Sequence, residues 1–335
     1  MIVDFQHHFT PRELIKADPG DRLILNYDAS GAPSYTVHAL LYDLDEHVRM
    51  MDEAGIDAAW LTSAAGMCAD LETSRLVNDK AKQAERDYPG RFIGAAHAHP
   101  LGGAAALHEL ARCRRELGFQ GVTITSEFDG KWIDDPALEP FWNEVEKLGL
   151  FVFVHPALKL NHAQQFDAYD TARAVGREFS LIMATIRLIN SGVFDRHPQL
   201  TVHMAHLSGG IAGMLARIRC FQDKEFWGTA GNARHGATPQ RPFDHYIRHN
   251  MVFDTAGFAG GIGAIKAGLA EIPAARMVFA TDYPQEIRKR DMVRDFVRDI
   301  RALGADGERI LSGNVGLLLK EPPTAPNKAV ADQAQ

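Results

Sequence analysis

Four short polar clusters in the chain each follow an apolar run and each carry imidazole or carboxylate. They are Gln6-His7-His8-Phe9-Thr10-Pro11, His155-Pro156, His206-Leu207-Ser208-Gly209-Gly210 and Asp282-Tyr283-Pro284. Imidazole nitrogen and carboxylate oxygen hold Zn²⁺ or a related divalent ion while leaving a coordination position open for water or substrate. The chain has 15 histidines, so any one of them is more often a surface or core residue than a ligand. Asp282 alone would serve equally well as the cap of the helix that follows it. The coincidence of all four clusters at run ends is what points to a metal site. Cys68, Cys113 and Cys220 are single and far apart, which indicates neither a thiolate zinc site nor a disulfide framework.

The elements that must position these residues can be read from periodicity. Apolar runs too short for helices, rich in β-branched and aromatic residues, occupy 2–5, 58–62, 92–97, 121–125, 150–154, 200–205, 251–254 and 277–280. Several are continuously hydrophobic, as strands buried on both faces must be. Between them, helical spacing predicts helices over 45–54, 71–88, 104–117, 136–148, 171–191, 210–223, 260–269 and 285–303, many of them ending at Gly or Pro. This alternation predicts an α/β fold, a single (β/α)8 TIM barrel over residues 1–320. The competing doubly wound sheet lacks the G-x-G-x-x-G turn after its first strand. Residues 11–43 form a long insertion after strand 1, expected to be a lid or subunit contact. The stretch 321–335, rich in Pro, Ala, Lys and Gln, is expected to be a disordered tail. In a barrel, chemistry gathers at the C-terminal ends of the strands, and the four clusters follow strands 1, 5, 6 and 8.

The chain of 335 residues is 46% hydrophobic, which excludes disorder, and its net charge of -7 gives no attractive field for nucleic acid or anionic lipid. No stretch of about 18 apolar residues occurs, and Met1-Ile2-Val3 runs directly into Asp4 without a signal-peptide pattern. A soluble cytoplasmic protein, with neither membrane nor nucleic acid as a partner, is the expectation.

The order Asp4-x-Gln6-x-His8, Phe153-Val154-His155-Pro156, Ala205-His206-x-x-Gly209-Gly210 and Thr281-Asp282-Tyr283-Pro284 resembles the amidohydrolase superfamily, in particular the branch of aminocarboxymuconate-semialdehyde decarboxylase and its relatives. Tyr88-Pro89-Gly90-Arg91-Phe92, Leu117-Gly118-Phe119-Gln120-Gly121-Val122 and Ser191-Gly192-Val193-Phe194-Asp195-Arg196-His197-Pro198 support it, and the similarity runs from Ile2 to about Leu319. The resemblance implies that His8, His155 and Asp282 bind one divalent metal, with zinc expected and manganese as the other choice. It places His206 as a general acid or base beside a metal-bound water. His7, next to His8 in an extended segment, should face away from the ion. Gln6 stands where relatives carry His or Glu; it joins the expected metal set as a neutral carbonyl oxygen, a poorer ligand than imidazole or carboxylate. No lysine ends strand 4, where Thr123-Ile124-Thr125-Ser126 stands, so a carbamylated-lysine bridge between two metals is not expected.

The resemblance further implies non-oxidative decarboxylation of a small aromatic or unsaturated carboxylic acid, a hydroxybenzoate or muconate-like compound, with His206 and Asp282 in proton transfer. Hydrolysis of a lactone or amide, or hydration, would use the same ligands and remains the alternative on this fold. A catalytically silent barrel is a third reading, against which the retention of all four polar positions weighs. His38 lies roughly where relatives carry an arginine that grips a carboxylate. A histidine there would be a weaker, pH-dependent clamp, which points to a substrate less charged than a dicarboxylate. Phe9, Phe258 and Tyr283, together with Phe128 and Trp132, are candidates to stack on a planar ring. A homodimer, formed through the insertion or the 171–191 helix, is the expected assembly.

Overall fold

The computed structural model describes every residue except 28–32, 129, 162–165, 167, 237–238 and 324–335. The predicted tail therefore lies almost wholly outside the described residues. The strands, in chain order, are β1 (Val3–His8), β2 (Ile24–Tyr27), β3 (Pro33–Val37), β4 (Ala58–Thr62), β5 (Phe92–Gly94), β6 (Ala96–His97), β7 (Gly121–Thr125), β8 (Glu127–Phe128), β9 (Lys131–Trp132), β10 (Phe151–His155), β11 (Val202–Met204), β12 (Met251–Asp254) and β13 (Met277–Val278). Parallel pairing runs β1-β4-β5 and then β6-β7-β10-β11-β12-β13. The predicted third strand is thus a single path broken at Ala95 into β5 and β6.

Backbone hydrogen bonds return the last strand to the first: Phe5 N to Phe279 O (3.0 Å), Asp282 N to Gln6 O (3.0 Å) and His8 N to Tyr283 O (2.7 Å). The eight predicted strands are the ring of a TIM barrel with helices outside it. β1, β4, β7, β10, β11 and β12 are buried at every position, which is why their sequences read as apolar runs rather than as alternations. Phe5, Phe153 and His203 meet inside the ring, with the Phe153 and His203 centroids 4.6 Å apart. No helix of the described residues is long and apolar enough to cross a membrane.

Departures from the expected elements have local causes. The helix expected over 285–303 begins only at Arg290 (Arg290–Arg301), because the residues before it are held by Gln285 Nε2 donating to Thr36 O (3.1 Å) and Arg288 Nε donating to Pro284 O (3.2 Å). The helix expected from 210 begins at Ala212, after a left-handed turn through His206, Leu207 and Ser208. A short helix, Phe243–His249, had no counterpart in the periodicity reading. The 11–43 insertion contains an antiparallel hairpin, β2 against β3, and β3 lies over the C-terminal ends of the barrel strands.

Candidate active site

β1 delivers Gln6 and His8 to one face and His7 to the other, as strand alternation requires. His7 Nδ1 meets Asp4 Oδ2 at 2.9 Å and its Nε2 meets His47 Nδ1 at 2.9 Å, so His7 belongs to a buried structural relay away from the cavity. Asp4 also accepts the Thr281 backbone N–H at 2.9 Å, which ties the root of β1 to the segment that presents Asp282.

His8, His155 and Asp282 converge, with one candidate ligand atom from each lying within 4.8 Å of the others. The second nitrogen of each imidazole is committed elsewhere. His8 Nδ1 lies 2.8 Å from Thr62 Oγ1 at the end of β4, and His155 Nδ1 donates to Pro156 O at 2.8 Å. Those bonds fix the tautomer that leaves Nε2 with a lone pair, the form a metal needs. His8 Nε2, Asp282 Oδ1 and Gln6 Oε1 are buried and without hydrogen-bond partners. His8 Nε2 and Asp282 Oδ1 nevertheless stand 2.7 Å apart. Buried polar atoms normally find partners. Orphaned acceptors on His8 and Asp282 beside His155 fit a bound cation, a set of two imidazoles and one carboxylate, and the neutral amide oxygen of Gln6 is a further buried oxygen left without a partner.

Burial, followed by the neighbouring His8, keeps the His155 imidazole well below the usual histidine range, hence neutral and able to ligate. For Asp282, burial pulls the pKa upward, but His8, His206 and His155 outweigh it and hold the carboxyl below its ordinary value.

His206 stands beside this cluster. Its Nδ1 meets Glu178 Oε1 at 2.9 Å, its Nε2 meets Gln6 Nε2 at 3.0 Å, and its Nε2 is 3.9 Å from Asp282 Oδ2. Burial disfavours its charge, yet Glu178, then Asp282 and Glu286, push its pKa up to about 10. A divalent charge at the neighbouring cluster acts against those carboxylates. In the neutral form His206 keeps Nδ1–H on Glu178 and accepts the Gln6 amide N–H at Nε2. The backbone places both His206, at φ 55°, and Asp282, at φ 56°, in the left-handed region. Such conformations cost of order 1 kcal/mol or more each and persist where surrounding bonds over-determine them. For His206 that bond is N–H to Asp254 Oδ1 (2.8 Å), with Asp254 Oδ2 fixed in turn by His203 Nε2 (2.8 Å). Gly257 leaves room for the imidazole, since a Cβ there would lie 2.1 Å from His206 Cγ.

These groups line one cavity of about 280 Å³, with His8, His155, His206 and Asp282 on one side and Arg173, Arg177 and Arg288 also in its wall. The four expected substrate residues do not line it. His38 is buried, and burial together with the Arg288 charge lowers its pKa to about 4, so it brings no positive charge at neutral pH. Phe9 is buried with its backbone on Thr62 O, Tyr283 stacks on His7 at 5.2 Å, and Phe258 lies beside Gly210. Phe128 faces a separate cavity, and Trp132 lies under the Arg187 guanidinium. The strand-end rule could have found Thr62, which ends its strand. It could not find Glu178, Arg177 or Arg288, because a helix start and the loop after the last strand supply them.

The chain matches the amidohydrolase family over residues 3–314. It is 30% identical over 299 residues to a gamma-resorcylate decarboxylase of a Rhizobium species, an alignment covering 84% of this chain and 89% of that protein. The crystal structure of a 2,6-dihydroxybenzoate decarboxylase from Rhizobium, complexed with 2,6-dihydroxybenzoate, superposes with a TM-score of 0.77 at 26% identity, covering 95% of this chain and 99% of that one. A dihydroxybenzoic acid decarboxylase from a Polaromonas species, with bound manganese and the inhibitor 2-nitroresorcinol, gives a TM-score of 0.77 at 25% identity over 95% and 96% of the two chains.

Proposed function

The chain belongs to the amidohydrolase family, and from that premise we propose that it is a metal-dependent carboxy-lyase that removes CO₂ without oxidation from a hydroxylated aromatic acid. The observation that carries this reading is the convergence of His8, His155 and Asp282, with the orphaned Gln6 oxygen, beside a histidine 3.9 Å from the free oxygen of the same aspartate. The donor set suits one divalent ion. Manganese, present in the Polaromonas neighbour, is favoured by the two oxygen ligands, and zinc by the two imidazoles.

When bound, the ion supplies the positive charge that draws the substrate's carboxylate and an adjacent oxygen into the cavity and withdraws electron density from the ring. His8 Nε2, His155 Nε2, Asp282 Oδ1 and Gln6 Oε1 are the atoms that hold it. Asp282 Oδ2 then carries the transferable proton. Protonation of the carboxylate-bearing carbon forms a C–H bond and interrupts the ring's conjugation. The C–C bond breaks, its electron pair restores the aromatic system, and CO₂ departs. His206, taken to its imidazolium by a proton from solvent water with Nδ1–H kept on Glu178, restores the proton to Asp282 Oδ2 from Nε2 once the Gln6 amide yields that position. The β3 residues Ser34, Tyr35 and Thr36 form the outer wall and limit water at the reacting carbon.

The test is CO₂ release from 2,6-dihydroxybenzoate by manganese-loaded protein. Asp282→Ala and His206→Ala should each lower the rate about 10²–10⁴-fold with circular dichroism unchanged, the loss typical of a missing acid or base. Wild-type activity in either variant, or lactone opening with no gas from any hydroxybenzoate, would overturn the reading.

A further inference from the structure

Glu178 has one oxygen in use and one idle. Its Oε1 meets His206 Nδ1 at 2.9 Å, whereas its Oε2 is buried and has no hydrogen-bond partner. The residue lies in the first turn of the helix Arg177–Asn190 and lines the cavity beside His206 and Asp282. Its place is fixed from two sides. Gly209, at φ 67°, lets the turn after β11 press against the helix start, since a Cβ there would lie 2.0 Å from Glu178 O. Ser180 Oγ donates to Arg177 O at 2.7 Å and lies 2.7 Å from Ser126 Oγ, just past β7, which ties the same helical turn to the barrel.

A buried carboxylate oxygen left without a donor is costly, and such atoms normally find one. The charges around it decide what kind of donor fits. Among the described residues, the carboxylates of Asp170, Glu178, Asp282 and Glu286 share the cavity with three guanidiniums, so its wall carries both signs. Asp170 is engaged with Arg173 at 2.8 Å, and Glu286 Oε2 accepts the Ala259 backbone N–H at 3.0 Å. A further anion beside Glu178 would meet the like charges of Glu178 and Glu286. A neutral O–H instead brings a donor without a charge to desolvate.

We propose that Glu178 determines which substrates the site takes: Oε1 holds His206, and Oε2 accepts the O–H of a ring hydroxyl meta or para to the carboxylate that leaves. An ortho hydroxyl flanks that carboxylate and stays with it at the metal ligands. Glu178 stands one imidazole farther out, because His206 spans the gap to Asp282, with Nδ1 on Glu178 and Nε2 3.9 Å from Asp282 Oδ2. A hydrogen bond to a carboxylate is roughly twice as strong as one between neutral groups. An ether at the same ring position has no proton to give and leaves Oε2 unpaired, so the site discriminates against it.

The proposal rests on the decarboxylase reading for which end of the substrate meets the ion, and a binding experiment separates the two. Nitro analogues replace the leaving carboxylate and cannot turn over, so isothermal titration of manganese-loaded protein reads affinity alone. At least one of 4-nitroresorcinol, nitrohydroquinone and 3-nitrocatechol, which add a para or meta hydroxyl, should bind about tenfold or more tightly than 2-nitrophenol. Methylating that added hydroxyl should abolish the gain. In Glu178→Gln, His206 keeps the amide oxygen and an N–H₂ faces the cavity, so the preference for hydroxyl over methoxy should fall to about threefold or less, a change that loss of His206 orientation alone would not produce. Equal affinities across the wild-type panel, as when water alone satisfies Oε2, or an unchanged hydroxyl preference in Glu178→Gln, would overturn the proposal. CO₂ release is measured in parallel on 2,3-, 2,4-, 2,5- and 2,6-dihydroxybenzoate. A binding preference without gas from any of them sinks the decarboxylase reading and leaves the Glu178 subsite standing; gas without a preference sinks the subsite alone.

Discussion

Gln6 occupies a position where two demands meet. Its amide nitrogen touches His206 Nε2 at 3.0 Å, and its oxygen is buried without a hydrogen-bond partner among the ligand atoms. A carbonyl dipole attracts a divalent cation less strongly than a full charge does, so if the Gln6 oxygen reaches the ion the site binds it more weakly than a carboxylate there would. Gln6→Glu keeps the shape and adds a charge, and metal retained after dialysis against a chelator, read by elemental analysis, should rise about tenfold or more in effective affinity. Unchanged retention would place the Gln6 oxygen outside the reach of the ion. The same substitution removes the amide N–H from His206, so turnover should fall even as metal content rises. At this scale the strand-end residues were legible in the sequence: His8, His155, His206 and Asp282 announced themselves by following apolar runs. His38 misled, because its place along the chain says nothing of its burial, and Arg177, Arg288 and Glu178 were silent because charged residues at helix starts and in loops are the commonest surface residues.

At the scale of elements, the exit of β11 decides whether His206 is aimed correctly. The chain turns left-handed through His206, Leu207 and Ser208, and the turn is pinned from the neighbouring β12 by Asp254, which accepts the His206 and Ala256 backbone N–H groups at 2.8 and 3.1 Å. Three residues past Asp254, Gly257 at φ 86° gives the imidazole its space. Gly257→Ala places a methyl group inside contact distance of the ring and strains a left-handed backbone, so the ring must shift. A displacement of about 1 Å at a catalytic group costs on the order of 100-fold in rate. The expected outcome is such a loss in kcat with wild-type metal content; full activity would show that His206 has freedom to move. The periodicity of buried strands made the barrel legible, since every ring strand needed an apolar run. The β2–β3 hairpin was not legible, because most of its described residues are only partly buried and carry no strict alternation. The late start of the helix Arg290–Arg301 was hidden too: 285–289 has acceptable helical spacing, but its polar groups are recruited to the wall of the cavity.

For the whole molecule, the candidate ligands come from distant parts of the chain and close the ring on itself. Gln6 and His8 belong to β1, His155 ends β10, and Asp282 follows β13. An ion bound there joins the first strand to the last and to one across the barrel, and it binds the folded chain alone, since the unfolded chain scatters these residues. Binding restricted to the native state stabilises it by RT ln(1 + [L]/Kd), about 2.7 kcal/mol at a hundred times Kd. With an unfolding entropy of about 2.1 cal/mol/K per residue, that free energy corresponds to a rise in Tm of about 3–5 °C for a chain of this length. Differential scanning fluorimetry with manganese after chelator treatment should show that rise, and His8→Ala should abolish it. An equal shift in His8→Ala would mean that the ion stabilises the protein from another place. The net charge of -7 gives the experiment a control: a divalent cation condensing on a negative surface would be displaced by about 0.3 M sodium chloride, because screening acts over only some 6 Å there, whereas a buried two-imidazole, two-oxygen site would keep its shift.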